Sequence, residues 1–278
     1  MKMADLRAAN RDLILMLPRF GLTLGFGEKS IKEVCAQKGV DADFFLMICN
    51  IYTFDDYLPD AEFLSSVNMS ALVSYLEASH RYYLNERMPH MQRHLDRIAE
   101  RSGSQACEVL KKYFSDYRAE VAEHFKSEEQ SIFPYLRTLK PGQKIESLRV
   151  SAYAHSHETL KDKLADLTPL IYKYVPGDYI TEEIMELVFG VLQLTKDIEK
   201  HTLIENLIFA PGENYDLSER ELDVLALLAQ GMSSKDIAAK LNIAVNTVNT
   251  HRKNISKKTG MKSVAALAVY ATLNGYNK

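Results

Sequence analysis

The chain has 278 residues, of which 46% are hydrophobic and 26% charged; this is the composition of an ordinary globular protein with room for two or three small domains. No apolar run approaches the ~18 residues of a membrane span and no secretory leader is present, so we expect a cytoplasmic protein without a membrane partner. The three cysteines have no CxxC spacing, which excludes a disulfide framework.

Helical periodicity dominates the chain and no stretch alternates as a strand would, so we predict an all-α protein. Residues 1–65 are expected to form a small helical unit, residues 66–210 a second domain and residues 211–278 a third. Within the second domain the Gly, Pro and Ser breaks separate long helices at about 68–101, 105–139, 145–174 and 181–209. Four long helices joined by short turns are typical of an up-down four-helix bundle.

The pattern His-x-x-x-Glu occurs twice in this bundle, as His124 with Glu128 and as His201 with Glu205. Residues four apart lie on the same face of a helix, and both pairs fall on apolar stripes. Burying an unpaired carboxylate is costly and usually ends in neutralisation or metal binding. Together the four stripes supply the candidate ligands His80, His124, Glu128, His157, His201 and Glu205.

Four imidazoles and two carboxylates without a thiolate disfavour an iron–sulfur cluster and a structural zinc site. Ligands of this kind from facing helices are typical of two iron ions, with manganese as an alternative. Two octahedral ions offer roughly 12 positions, so some would stay open for oxygen, nitric oxide or peroxide. Haem bound by one or two of the histidines is a further alternative.

The segments HFKSEEQSIFP, AHSHETLKDKL and HTLIENLIFAP resemble the hemerythrin-like (HHE) family, and within it the di-iron proteins that repair iron centres. The resemblance covers about residues 68–210 and implies a di-iron bundle. It leaves the first-helix ligand open: His80 is our choice, while His90 and His94, which flank Pro89, are alternatives that we expect to be surface residues.

The C-terminal segment predicts a compact helical module with a basic end. One helix starts at Ser218, and Ser233 with Asp236 forms a capping box for the next. A turn at 242–244 and a helix at about 245–257 complete a helix-turn-helix. Five basic residues lie within positions 252–262, and residues 212–278 hold 9 Lys and Arg against 6 Asp and Glu, which suits contact with DNA phosphates.

This module resembles the LuxR/FixJ family, whose motifs are matched by SERELDVLALLAQG, DIAAKL and TVNTHRKNI. The resemblance implies that Asn249, Thr250 and Lys253 read base edges. It also implies phosphate contacts by a second set: Thr247, Arg252, Lys257 and Lys258. Residues 263–273, rich in alanine and valine, are a candidate dimer helix.

The leading interpretation is a homodimeric transcription regulator, not an enzyme, that binds double-stranded DNA. Its di-iron bundle would sense redox state, an oxidant or a diatomic ligand such as O2 or NO. The alternative is a protein that repairs iron centres or handles oxygen or NO, with the C-terminal module as a recruitment device. A haem-binding sensor in the same bundle is the third hypothesis.

Overall fold

The computed structural model describes residues 2–6, 10, 13–54, 57, 59, 61–140, 151–175, 181–209, 217–259, 267–268, 271 and 276. Within its helices, the side chains of residues 61, 62, 65, 151–159, 181, 208, 209 and 257 are outside this description. The described residues form no β-strand, and their only strand-like pairing is one isolated bridge between Lys2 and Ser30. The predicted all-α fold is confirmed.

The N-terminal region consists of short helices with well-formed caps. The Ser30 side chain and the Glu33 side chain form a capping box, and Asp41 caps the following helix through the N–H of Phe44 at 2.8 Å. Pro18 lies near the start of a 3-10 helix at Leu17–Phe20. The α-helices of this region are α1 (Leu13–Met16), α2 (Ile31–Lys38), α3 (Ala42–Thr53) and α4 (Ala61–Ser66).

The bundle contains the four predicted long helices, the first of them in two parts. Buried side chains from all of them, such as Met91, Phe114, Leu164 and Val191, pack into one core. At Gly190 an added Cβ would lie 3.1 Å from Cγ of Met91, so the glycine permits a close approach between two helices. The helices are α5 (Met69–Tyr82), α6 (Met88–Ser102), α7 (Gln105–Thr138), α8 (Ser151–Tyr174) and α9 (Thr181–Phe209).

A π-helical segment, Tyr83–Arg87, interrupts the first long helix, which the sequence predicted as one helix at about 68–101. The N–H of Met88 donates to the carbonyl of Tyr83, five residues earlier. Pro89 has no N–H for the next bond in this series. The carbonyl of Leu84, which that bond would have used, instead accepts from Nη2 of Arg118 on α7 at 3.3 Å. The proline thus accounts for the irregularity, and a neighbouring helix compensates for it.

The chain divides into two compact units. One comprises Val73–Arg137 and Ala152–His201, and the other comprises Met1–Leu72, Thr138–Ser151 and Thr202–Lys278. None of the described helices combines the length and apolar composition needed to cross a bilayer.

The C-terminal helices are α10 (Glu219–Ala229), α11 (Ser234–Leu241) and α12 (Val245–Thr259). Ser218 caps α10, and Ser233 forms the predicted capping box with Asp236 at the start of α11. Asn242 then adopts a left-handed conformation, with φ 53°, and directs the chain into α12. Most of the candidate dimer helix, residues 263–273, lies outside the described residues.

An ion pair joins α10 to α12. Glu221 is 3% exposed, and its carboxylate accepts from Nζ of Lys258 at 2.7 Å and from the N–H of Ser218 at 2.8 Å. Burial acts to raise the pKa of Glu221, but the hydrogen bonds from Lys258 and Ser218 lower it below its ordinary value of 4.5. The ionised carboxylate therefore stabilises the fold above that value, and this contribution is lost as the pH falls through the lowered native pKa.

We expect Glu221→Gln to lower the free energy of unfolding by about 1–3 kcal/mol at pH 7, because Lys258 loses a charged acceptor. The loss should begin to shrink below pH 4.5, where the carboxyl of the unfolded chain takes up a proton, and should disappear once the pH falls below the lowered native pKa. Urea denaturation of the full chain followed by circular dichroism at pH 7 and pH 3.5 measures both. The control is Glu219→Gln, an exposed residue of the same helix turn. Equal losses for the two variants at pH 7 would contradict the prediction.

Candidate metal centre and nucleic-acid interface

His80 lies at the centre of the buried polar cluster in the bundle. It is 1% exposed, and its two ring nitrogens have different surroundings. Nδ1 lies 3.0 Å from Oε1 of Glu129, and Nε2 lies 3.2 Å from Nε2 of His201 on α9. A carboxylate beside Nδ1 favours the tautomer with its proton there, which leaves the Nε2 lone pair directed at His201. Two imidazole nitrogens facing one another at this distance suit a shared metal ion.

The first His-x-x-x-Glu pair, on α7, contributes a carboxylate to the same place. Oε1 of Glu128 lies 3.1 Å from Nε2 of His124, one turn earlier on the helix. Its other oxygen, Oε2, lies 3.6 Å from Nε2 of His80. Glu128 is 2% exposed and therefore presents one oxygen to each of two histidines inside the protein.

The second pair lies on α9, where Glu205 follows His201 by one helical turn. Both residues are buried, at 2% and 1% exposure. His80, His201 and Glu205 can each offer one ligand atom such that all three atoms lie within 4.8 Å of one another. Both predicted pairs therefore point inward, as their position on apolar stripes required.

Aromatic rings enclose His80. The ring of Phe125 stacks on it at a centroid distance of 3.8 Å and an interplanar angle of 5°, and Phe133 lies 5.4 Å away. Nearby, the hydroxyl of Tyr83 donates to Asp197 at 2.9 Å in a buried hydrogen bond. These contacts restrict rotation of the imidazole and exclude water from its faces.

The donor set fits a metal ion. Imidazole nitrogens and carboxylate oxygens suit iron, manganese or zinc. The three cysteines, Cys35, Cys49 and Cys107, are buried and free, and none of them belongs to a group of potential metal ligands among the described residues. An apolar core with several histidines and carboxylates in contact is difficult to explain by packing alone, because each charge would need a compensating partner.

The structure brings five of the six predicted ligands together on α5, α7 and α9. The sixth is His157, which lies on α8 but whose side chain is outside the described residues. Sequence reasoning missed Glu129, although it directly follows Glu128 in the SEEQ segment; only the position of His80 across the bundle reveals its role. The expectation that His94 is a surface residue is wrong, since it is 8% exposed.

The alternative first-helix ligands, His90 and His94, are not part of this cluster. They lie on α6, beyond the π segment, and form a separate group with Glu183 and Glu186 of α9. The π segment explains part of this difference, because an extra residue per turn rotates the following helix face.

The candidate DNA-reading helix α12 has two distinct faces. Val248 and Ile255 are fully buried against the module core. The predicted base-edge residues are exposed on the opposite face and line one depression of the surface, whose residues are Asn246, Asn249, Thr250, Arg252, Lys253, Ser256 and Leu267. A helix that exposes polar and basic residues in this way can enter a major groove.

The predicted phosphate contacts differ in their surroundings. Thr247 is exposed. Arg252 is half-buried and donates from Nη1 to Oγ of Ser234 at 2.7 Å, so it also holds α11 and α12 together. Lys258 pairs with Glu221, as described above. The side chain of Lys257 is outside the described residues.

A hydrogen bond connects the end of α9 with the end of α12. Nδ2 of Asn206, the residue after Glu205, donates to the main-chain carbonyl of Thr259 at 3.3 Å, and both residues are buried. Thr259 is the last residue of the candidate DNA-reading helix. The helix that carries two candidate metal ligands is thus bonded directly to it.

Comparison with known proteins matches two separate segments of the chain. Residues 71–212 match the hemerythrin HHE cation binding domain, and residues 216–271 match the bacterial regulatory proteins of the luxR family. The chain is similar to the transcriptional regulatory protein LnrK of Bacillus subtilis (32% identity over 115 residues, 38% of this chain and 52% of LnrK). It is also similar to the oxygen regulatory protein NreC of Staphylococcus aureus (47% identity over 55 residues, 20% of this chain and 25% of NreC).

The chain therefore spans about half of LnrK and a quarter of NreC. No solved structure gives a significant match. The hemerythrin match covers half of the chain and includes all of the buried histidine and glutamate cluster. The chain belongs to the hemerythrin HHE cation-binding family, and it carries this metal-binding domain fused to a C-terminal regulatory domain of the luxR family.

Proposed function

We propose that this protein is a DNA-binding transcription regulator, acting as a homodimer, whose bundle binds two iron ions and senses redox state or a diatomic ligand. The observation that carries this proposal is the bond between Asn206 and Thr259, because it joins the helix of His201 and Glu205 to the candidate DNA-reading helix. A sensor needs such a connection, whereas a repair protein that merely carries a recruitment module does not.

The proposed ligands are those that the sequence predicted: His80, His124, Glu128, His157, His201 and Glu205. Glu128 has one carboxylate oxygen toward His124 and the other toward His80, so it would offer one donor atom beside each histidine. A bound pair of iron ions would supply open coordination positions and a reversible change of oxidation state, and manganese is the alternative. Glu129 holds the tautomer of His80, and Phe125 and Phe133 keep water from its ring.

The signal would travel along α9. A change in the positions of His201 and Glu205 moves the last turns of a continuous helix, and Asn206 transmits that movement to the backbone of Thr259. Packed helices transmit small shifts because their interiors are densely packed. Coupling between two such sites is typically ~1–3 kcal/mol, or roughly 5–150-fold in DNA affinity.

The relatives support regulation but do not identify the signal. LnrK and NreC are named as regulators, and NreC as an oxygen regulator. The match to NreC extends over only 55 residues, which is too short to include the bundle. The choice between oxygen, nitric oxide and redox state therefore rests on the chemistry of the metal centre.

The first prediction concerns metal content. Wild-type protein purified anaerobically should contain about two irons per chain. His201→Ala should lose at least half of this metal while keeping its helical content, because the apolar core of the bundle is unchanged. Elemental analysis and circular dichroism measure these quantities, and His251→Ala on α12 is the control. The proposal fails if wild type contains neither iron nor manganese, or if His201→Ala retains the full amount.

The second prediction concerns DNA. Lys253→Ala should weaken specific binding by ~1–3 kcal/mol and relax the preference at one base pair. Lys257→Ala should weaken binding to all sequences alike and reduce the salt dependence by about one phosphate contact. Binding isotherms over a range of salt concentrations separate the two effects, with Lys173→Ala in the bundle as the control. Full-length protein that ignores DNA even at low salt would refute the regulator proposal.

The third prediction concerns coupling. We expect Asn206→Leu to retain its metal but to bind DNA with nearly the same affinity in the metal-bound and metal-free states, because Thr259 no longer accepts a bond from α9. Wild type should show a difference of roughly 5–150-fold between those states. Thr202→Val, one turn earlier on the same helix, is the control and should behave as wild type. If Asn206→Leu preserves the full difference, the signal takes another route.

A further inference from the structure

A second cluster of metal-binding side chains lies on α6 and α9, outside the centre described above. His90 and His94 are one turn apart on α6, and Glu186 faces them from α9. Each offers one ligand atom, and the three atoms all lie within 4.8 Å of one another. The two Nε2 atoms are 3.2 Å apart.

Glu183 gives this cluster a supporting carboxylate. It lies on α9 three residues before Glu186, on the same face of the helix. It accepts a short hydrogen bond from Nδ1 of His94 and a second from Nη1 of Arg97 at 3.1 Å. Metal-binding histidines usually donate their other ring nitrogen to a carboxylate in this way, which fixes the tautomer and the ring orientation. The lone pair of His94 Nε2 is therefore directed at His90 and Glu186.

His90 is the more accessible partner. Its Nδ1 lies 3.4 Å from Nη2 of Arg93, a long contact with an exposed side chain that is readily given up. Burial lowers the pKa of His90, and the neighbouring basic side chains of His94, Arg87 and Arg93 lower it further, while the carboxylate of Glu186 raises it.

The distances match tetrahedral zinc. Two nitrogens bound to one zinc ion at ~2.0–2.1 Å lie roughly 3.3 Å apart, close to the distance between the two Nε2 atoms. Two histidines and one glutamate with a water in the fourth position form a common zinc ligand set. We propose that His90, His94 and Glu186 form a second metal site that binds Zn²⁺ and links α6 to α9.

This site is distinct from the buried centre. His80 and His90 are ten residues apart, and Glu186 precedes His201 by fifteen, which corresponds to roughly 15–22 Å along the two helices. The close approach of the helices at Gly190 and Met91 holds the two sides of the site together. Glu186 is exposed, so an ion can enter from solvent. Zinc bound here would stabilise the bundle, because it binds the folded state alone.

The test is a zinc titration of the full-length protein against a competing chromophoric chelator, together with the thermal midpoint measured by circular dichroism. We expect His90→Ala and Glu186→Gln each to lose one zinc equivalent and the zinc-dependent rise in midpoint. Glu183→Gln should weaken this equivalent by ~10–100-fold. The matched control is Glu182→Gln, an exposed glutamate of the same helix, which should bind zinc as wild type does.

Because the buried centre can also bind zinc, the titration is repeated in the His201→Ala variant. His90→Ala should remove one zinc equivalent both from the wild-type protein and from the His201→Ala variant. Glu186→Gln changes an exposed side chain and keeps the test valid if His90→Ala folds poorly. The proposal is overturned if Glu186→Gln binds as many equivalents as wild type with the same affinity. It is also overturned if His201→Ala alone abolishes all zinc binding.

Discussion

The cost of burying carboxylates governs this bundle. Glu128 and Glu205 are almost fully enclosed, and an ionised carboxylate in an apolar interior is stable only beside compensating positive charge or strong donors. His124 on the same helix lies 3.1 Å from one oxygen of Glu128, and His80 on α5 lies 3.6 Å from the other. Imidazoles are also good metal ligands. A pair of metal ions would compensate the buried carboxylates and would coordinate the histidines beside them. The four-helix core, the aromatic rings around His80 and the supporting Glu129 would then all serve to hold these ligands in place.

Local patterns were sufficient to predict much of the architecture. The capping box at Ser233 and Asp236, the long helices and the inward direction of both His-x-x-x-Glu pairs all follow from residues within one or two turns of each other. The choice of His80 over its alternatives followed from its register on an apolar stripe. Its position beside His201 agrees with that choice, since the two Nε2 atoms face each other at 3.2 Å. The division into three domains remains a prediction.

Long-range relations could not be predicted from one sequence. Glu129 reads as an ordinary exposed helix residue until His80, 49 positions away, is placed against it. Burial of His94 depends on Glu183 of another helix, and the π segment depends on Arg118 accommodating the carbonyl that Pro89 leaves without a donor. The bond from Asn206 to Thr259 likewise joins residues 53 positions apart. In each case the local sequence pattern predicts the helix, but the residue that contacts it from another helix is known only from the packed structure.

The central claim is that the state of the metal centre reaches the DNA-reading helix through the last turns of α9. Hydrogen–deuterium exchange of the full-length protein, with and without bound metal and without DNA, tests this claim most directly. We predict that amide protection in the C-terminal turns of α12, around Ile255 and Thr259, changes with the metal, and that Asn206→Leu abolishes the change. Altered protection around His201 with identical exchange throughout α12 would contradict the account.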